Sequence, residues 1–191
     1  AGGIIALNLM PGDELISARI TDGTLNVFLG TAQGKSIRFH EIDVRAAGRI
    51  ARGVRGINLM AGDRVVGMEV LTHGQTLISI TANGYGKRTS VDEYPVQKRG
   101  GKGVITIKTS ERNGQVVGIL LADDDDDLVL MTDFGKLIRM PIEGISVIGR
   151  NTQGVKLIEI NTGERVIGAA RLAEKDANGD GPEASDDASA S

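Results

Sequence analysis

Four stretches of this chain open alike: residues 3–20 (GIIALNLMPGDELISARI), 53–70 (GVRGINLMAGDRVVGMEV), 103–120 (GVITIKTSERNGQVVGIL) and 154–172 (GVKLIEINTGERVIGAARL). Their leading glycines stand 50, 50 and 51 residues apart. A second landmark keeps the same period: Gly34-x-x-x-Arg38, Gly84-x-x-x-Arg88 and Gly135-x-x-x-Arg139. Self-similarity at a fixed spacing of this size marks a repeat architecture, in which each unit buries its apolar face against its neighbours.

Each unit reads as short strands. Residues 4–10 alternate apolar with small or polar side chains, and Pro11-Gly12-Asp13 then marks a turn. Residues 14–20, 24–31 and 35–40 supply three more strands, rich in Val, Ile, Leu and Thr as a pleated half-buried surface favours. Gln33-Gly34, Asn83-Gly84 and Phe134-Gly135 close hairpins, where a positive φ suits glycine. Residues 44–52 are the nearest approach to a helix, and they are short and glycine-interrupted. Four strands per unit of about 50 residues is the size of a propeller-like blade. The expected architecture is therefore all-β. Units fall at about 1–52, 53–102 and 103–153, with a partial unit at 154–172 whose hairpin completes the preceding blade. Three and a half units rarely close a ring, which suggests a piece of a longer chain, as does a start at Ala1 with no methionine.

Composition excludes several chemistries. The chain has no cysteine, so disulfides, thiolate catalysis and cysteine-zinc sites are ruled out. No stretch approaches the roughly 18 apolar residues of a membrane span. The overall charge of −3 is uneven. Residues 173–191 carry six acids and one lysine, and residues 123–127 are five consecutive aspartates. The remaining body is net +7. A basic body with an acidic tail is a pattern of nucleic-acid binders. The tail has no apolar period, so it is expected to be disordered. Tethered beside a basic surface, it would act as a decoy for DNA.

Lys98, Arg99 and Lys102 place three cations within five residues. Gly100 and Gly101 between them leave room for close backbone approach to a phosphate. Arg45, Arg49, Arg52 and Arg55 flank the start of the second unit, and Arg150 and Lys156 that of the fourth. The Gly-x-x-x-Arg turns add Lys35, Arg38, Lys87, Arg88, Lys136 and Arg139. In-phase cations would line one rim of a stacked repeat. Arginine forks hold phosphate oxygens bidentately but read no sequence. The scarcity of aromatics, three Phe, two Tyr and no Trp, argues against single strands, which need stacking platforms.

Other features carry less. His40 and His73 lie on different units without partners for catalysis or metal binding. Tyr85 and Tyr94 read as blade cover or backbone contacts. The aspartates at 123–127 sit where a hairpin tip is expected and read as a solvated loop away from the rim. Residues 176–187 begin like a calcium loop of EF-hand type, but no helices flank them.

Several stretches resemble the C-terminal domains of the A subunits of bacterial DNA gyrases: residues 83–89 (NGYGKRT), residues 147–155 (VIGRNTQGV, against VGRNTQGV), and residues 2–9 (GGIIALNL) followed by Gly12-Asp13-Glu14-Leu15. The resemblance runs over residues 1–172, and the acidic tail is similar in character. It implies a β-pinwheel of four-stranded antiparallel blades with duplex DNA bent around a basic outer rim. Gln97, Lys98, Arg99, Gly100, Gly101, Lys102 and Gly103 resemble that family's glycine-arginine box, QRRGG(K/R)G, with Lys98 in place of an arginine. The family's main box lies early in the domain, whereas about 90 residues follow this copy. The family's strand-cleaving tyrosine motif is absent from this sequence, so no catalytic site is expected in it. By the same resemblance ATP and Mg2+ belong to other parts of the enzyme. The implied partners are double-stranded DNA, the rest of gyrase A and gyrase B, without a membrane. The implied setting is the bacterial cytoplasm, at the nucleoid. The corresponding domain of topoisomerase IV, or a propeller-like interaction scaffold, are the alternatives.

Overall fold

The computed structural model describes residues 3–49, 51–72 and 74–173. Among these residues eleven strands form three antiparallel sheets. The first sheet orders β3 (Val65–Leu71), β1 (Asn26–Thr31), β2 (Lys35–His40) and β6 (Val104–Ile105). The second orders β10 (Val155–Lys156), β5 (Tyr85–Ser90), β4 (Thr76–Thr81) and β7 (Val116–Ala122). The third has β11 (Val166–Leu172), β8 (Asp127–Thr132) and β9 (Leu137–Pro141). The only helical turns among the described residues are three 3-10 turns at Glu41–Asp43, Val91–Glu93 and Ile142–Gly144.

The hairpins close as expected. Gly34, Gly84 and Gly135 take φ of 78°, 79° and 80°, left-handed values that a Cβ disfavours. The registers repeat: Leu29 faces Ile37 in the first hairpin and Ser79 faces Lys87 in the second. A sheet does not coincide with one 50-residue unit, however. Each central hairpin takes an edge strand from the next unit, as β1 takes β3, and the first two take a two-residue strand from the unit beyond, as β2 takes β6. One unit is thus spread over successive blades, and the sheets are laced together by exchange.

Two expectations are corrected by this lacing. Residues 4–10 and 14–20 are not strands, and Ile4, Ile5, Leu15 and Ile20 are exposed. Their counterparts at 104–105 and 65–71 pair with a hairpin from an earlier unit, and no hairpin among the described residues pairs with residues 4–20. Nor do residues 154–172 form a hairpin. Val155–Lys156 joins the second sheet and Val166–Leu172 the third.

Packing between sheets supplies the core. Phe28, Leu77, Val91, Tyr94, Ile107, Val116 and Ile119 fill the space between the first and second sheets. Ile78, Ile80, Leu128, Leu130, Ile142, Ile158 and Val166 do so between the second and third. Tyr94 is therefore core: its ring meets Phe28 edge to face at 4.9 Å and its hydroxyl lies 2.7 Å from Thr106 Oγ1. Strands β3, β7 and β11 pack on one another across the sheets, so those edges converge and the edges carrying β6 and β10 point outward.

The aspartate run is a connector rather than a hairpin tip, since β7 and β8 belong to different sheets. It is also far from bare. Asp126 is buried and accepts the Asp123 N–H, Asp124 pairs with Arg88, and Asp127 pairs with Arg139. Asp123 and Asp126 both lie 3.4 Å from Arg171. His40 caps its 3-10 turn by accepting the Ile42 N–H on Nδ1 at 3.2 Å. His73, the calcium-like stretch and residues 174–191 of the acidic tail lie outside the described residues.

One carboxylate ties the third hairpin to β11. Glu164 is enclosed, receiving Lys136 Nζ at 2.8 Å, the Asn161 N–H at 2.9 Å and the Thr132 hydroxyl at 2.7 Å. These donors, Lys136 foremost, hold its carboxyl down at about 2, against an ordinary 4.5. A depressed carboxyl stabilises the fold above its unfolded value, and that stabilisation is lost as pH falls from about 4.5 toward 2. Thermal unfolding followed over this range is expected to show an acid-destabilising step that Glu164→Gln removes. An unchanged profile in the variant would show that the network does not couple to folding.

Candidate nucleic-acid interface

The sequence-derived cations fall into three environments. Arg38, Lys87 and Arg88 are buried, which corrects their expected place on the rim. Each is used up inside the fold. Arg38 Nη1 donates to the carbonyls of Val91 at 3.1 Å and Tyr94 at 3.2 Å, clamping the next unit's 3-10 turn to β2. One period on, Arg88 Nη1 donates to Ile142 O at 3.3 Å and Nε to Thr76 Oγ1 at 3.1 Å. Lys87 Nζ donates to the carbonyls of Gly149 at 2.5 Å and Arg150 at 2.7 Å. In the third unit, among the described residues, no turn is clamped by Arg139, which is exposed against Asp127.

A second group is exposed but already paired. Lys136 meets Glu164 at 2.8 Å and Lys156 meets Glu159 at 3.2 Å. Lys35 is half-buried.

The third group is concentrated on the outer edge of the first blade. The box-like loop hangs from that edge at both ends: the Gln97 N–H donates to Arg38 O at 2.8 Å, and Val104 of β6 pairs with Ser36 of β2. The loop lies against residues 43–58. Arg99 Nε donates to Asp43 O at 2.7 Å and Nη1 to Arg55 O at 3.1 Å. The Gly100 N–H donates to Gly56 O at 2.6 Å, and the Asn58 N–H to Gly101 O at 2.9 Å. The glycine backbone lies against residues 56 and 58 of the neighbouring loop, and the Gly100 amide is already engaged there. Gly103 shows the constraint most sharply, with φ of 67° and an added Cβ only 2.1 Å from Ser36 O.

The side chains left outward on these two abutting loops are Arg45, Arg49, Arg52, Arg55, Lys98 and Lys102. All six are exposed, and among the described residues none forms an ion pair. One arginine recurs in phase at Arg49, Arg99 and Arg150. Arg150 Nη1 donates to Ile105 O at 3.0 Å, repeating the bond of Arg99 to Arg55 O one unit earlier. These two guanidinium groups anchor their loops first and remain half-exposed.

Five further exposed arginines lie outside the repeat pattern, and three of them form no ion pair among the described residues. Arg112 stacks on the Tyr85 ring at 4.8 Å, and Arg64 and Arg165 bond the neutral amides of Gln115 and Asn83. The signal for two of them was present: Asp63-Arg64 and Glu164-Arg165 occupy matching places after the turn. Among the described residues no helix is long and apolar enough to cross a membrane.

Residues 25–72, 75–123 and 126–173 match the family described as DNA gyrase C-terminal domain, beta-propeller. Each matched segment is one hairpin with the edge strand that joins it. The DNA gyrase A protein of Salmonella typhimurium is 50% identical over 174 residues, covering 91% of this chain and 20% of the relative. The chain thus spans about a fifth of that relative's length. A solved C-terminal domain of DNA topoisomerase IV superposes with a TM-score of 0.83 at 25% identity, over 88% of this chain and 53% of that one. A DNA gyrase A C-terminal domain gives 0.81 at 26%, over 89% and 58%.

Proposed function

The chain belongs to the DNA gyrase C-terminal domain, beta-propeller family, and from that membership we propose that it binds duplex DNA without reading sequence, bends it along the outward edges of its blades and serves negative supercoiling by the gyrase holoenzyme. The observation that carries this reading is the patch of six exposed, unpaired cations where the 97–103 loop abuts residues 43–58. Such groups neutralise phosphates and release counterions, and they do so at any base sequence. On this reading the chain itself carries no cofactor. ATP and Mg2+ act elsewhere in an assembly with the rest of gyrase A and with gyrase B, in the bacterial cytoplasm.

If the six cations each meet one phosphate, log K for duplex binding falls with log salt at a slope of about −5, from roughly 0.9 per contact. A mobility-shift series at several salt concentrations measures it. Affinity is expected to favour pre-bent over straight duplex of equal length. A slope near zero, or sharp discrimination among straight sequences, would count against charge-driven bending.

The topoisomerase IV fold match favours one second reading, the equivalent domain of that enzyme. Plasmid relaxed in the presence of the chain tests the wrapping itself. A wrapping domain leaves a change in linking number after relaxation, whereas a domain that only contacts DNA leaves none.

A further inference from the structure

Lys87 is a fully buried lysine with no carboxylate bonded to it among the described residues. The positions in phase are Ile37 and Ile138, so the charge is peculiar to the second blade. Its ammonium donates to two consecutive carbonyls, of Gly149 and Arg150. Beside it the Thr89 hydroxyl donates to Ile148 O at 2.9 Å, so β5 side chains grip three successive carbonyls of the 148–154 loop. The charged groups acting on Lys87 from the packed elements are Glu93 and Arg150, with the Tyr94 ring beside Arg150. Glu93 Oε2 accepts the Arg150 N–H at 3.1 Å, and the Arg150 guanidinium lies 5.8 Å from the Tyr94 ring centre. The corresponding loop of the first blade has Ile37 and Phe39 beneath it and is anchored by Arg99 and glycine backbone.

We propose that Lys87 is a positioning residue for DNA contact by the 148–154 loop: its buried ammonium holds the carbonyls of Gly149 and Arg150, and the loop presents Arg150 to the duplex only while that ammonium is charged. This rests on the duplex-binding reading above. Charge-assisted hydrogen bonds are roughly twice as strong as neutral ones, so a neutral amine grips the loop more weakly. With that grip weakened, the loop carrying the Arg150 guanidinium keeps the Thr89 bond to Ile148 O and the Arg150 bond to Ile105 O as its remaining side-chain anchors. Burial, opposed by Glu93 and assisted by Arg150, pushes the Lys87 ammonium down to about 8 from 10.5. Burial pushes the Tyr94 hydroxyl up, so it stays neutral over the same range.

The test is duplex affinity of the chain from about pH 7 to pH 9.5 at fixed ionic strength. Affinity is expected to fall about threefold or more, centred near pH 8, well below the ordinary lysine range near 10.4. The salt slope on the alkaline side is expected to be shallower by about 0.9, one phosphate contact. Lys87→Met is expected to bind weakly at every pH without the step. Arg150→Gln, which keeps Lys87, is expected to lose the step as well. A flat profile in the unaltered chain that still binds duplex overturns this inference alone, as does a step that persists in Arg150→Gln. If Lys87→Met does not fold, the unaltered chain and Arg150→Gln decide the matter between them. Absence of duplex binding at every pH overturns the underlying reading with it.

Discussion

Replacing Arg49, Arg52, Lys98 and Lys102 together by glutamine is expected to remove most of the duplex affinity, on the order of a hundredfold at moderate salt. Four of the six unpaired cations of the first-blade patch are lost, so the salt slope shrinks by about 3.6 at roughly 0.9 per contact. Stability is expected to change by less than about 1 kcal/mol, because exposed charges without a partner contribute little to folding. The control is Lys136, Arg139 and Lys156, which already face Glu164, Asp127 and Glu159. Neutralising those three is expected to cost far less binding, since each must leave a carboxylate before it meets a phosphate. Mobility shifts on both variants at two salt concentrations decide it. Equal losses would move the interface off the first blade.

The second large effect is steric. Gly103→Ala places a Cβ 2.1 Å from Ser36 O, where no flexible side chain can yield, and forces alanine into φ of 67°. The pairing of Val104 with Ser36 that ends the box-like loop must give way. A destabilisation of about 3 kcal/mol or more is expected, in the range reserved for strain and broken packing. It should be accompanied by weaker duplex binding as the loop comes loose from the edge. Gly135→Ala is the matched control. Its φ is 80°, but nothing lies within 4 Å of the added carbon. Only the left-handed backbone is penalised there, by about 1 to 2 kcal/mol. Urea unfolding of the two variants separates close approach from backbone conformation, and equal losses would show that contact with Ser36 is not the cause.

The interface is partly legible in the sequence. The 97–103 loop and the arginines around the second unit stood out by charge density, and the fold puts them side by side at an outward edge. Their neighbours in the same count did not qualify. Lys35 follows its turn glycine directly and is half-buried, whereas Lys87 stands two places further along its strand, in phase with Ile37 and Ile138, and is sealed under another loop. The phase marks that place as core, but no neighbouring residue shows which backbone covers a lysine there.

The sequence by itself determined the local geometry. The 50-residue period, the turn glycines and the β-branched runs require short hairpins with left-handed turns at Gly34, Gly84 and Gly135, because those preferences reside in a few adjacent residues. Strand partnership lies beyond that range. Residues 4–20 carry nearly the same pattern as residues 54–70, yet only the latter contain a paired strand, because pairing needs a hairpin from another unit. The fate of the Gly-x-x-x-Arg arginines is decided in the same way. Arg38 and Arg88 are buried because the following unit lays its 3-10 turn carbonyls over them, whereas no turn among the described residues covers Arg139, which is exposed. The Gly-x-x-x-Arg spacing is the same in all three cases. Whether the arginine ends in the core or on the surface depends on the backbone that arrives some 50 residues later, and only the tertiary structure brings that backbone to it.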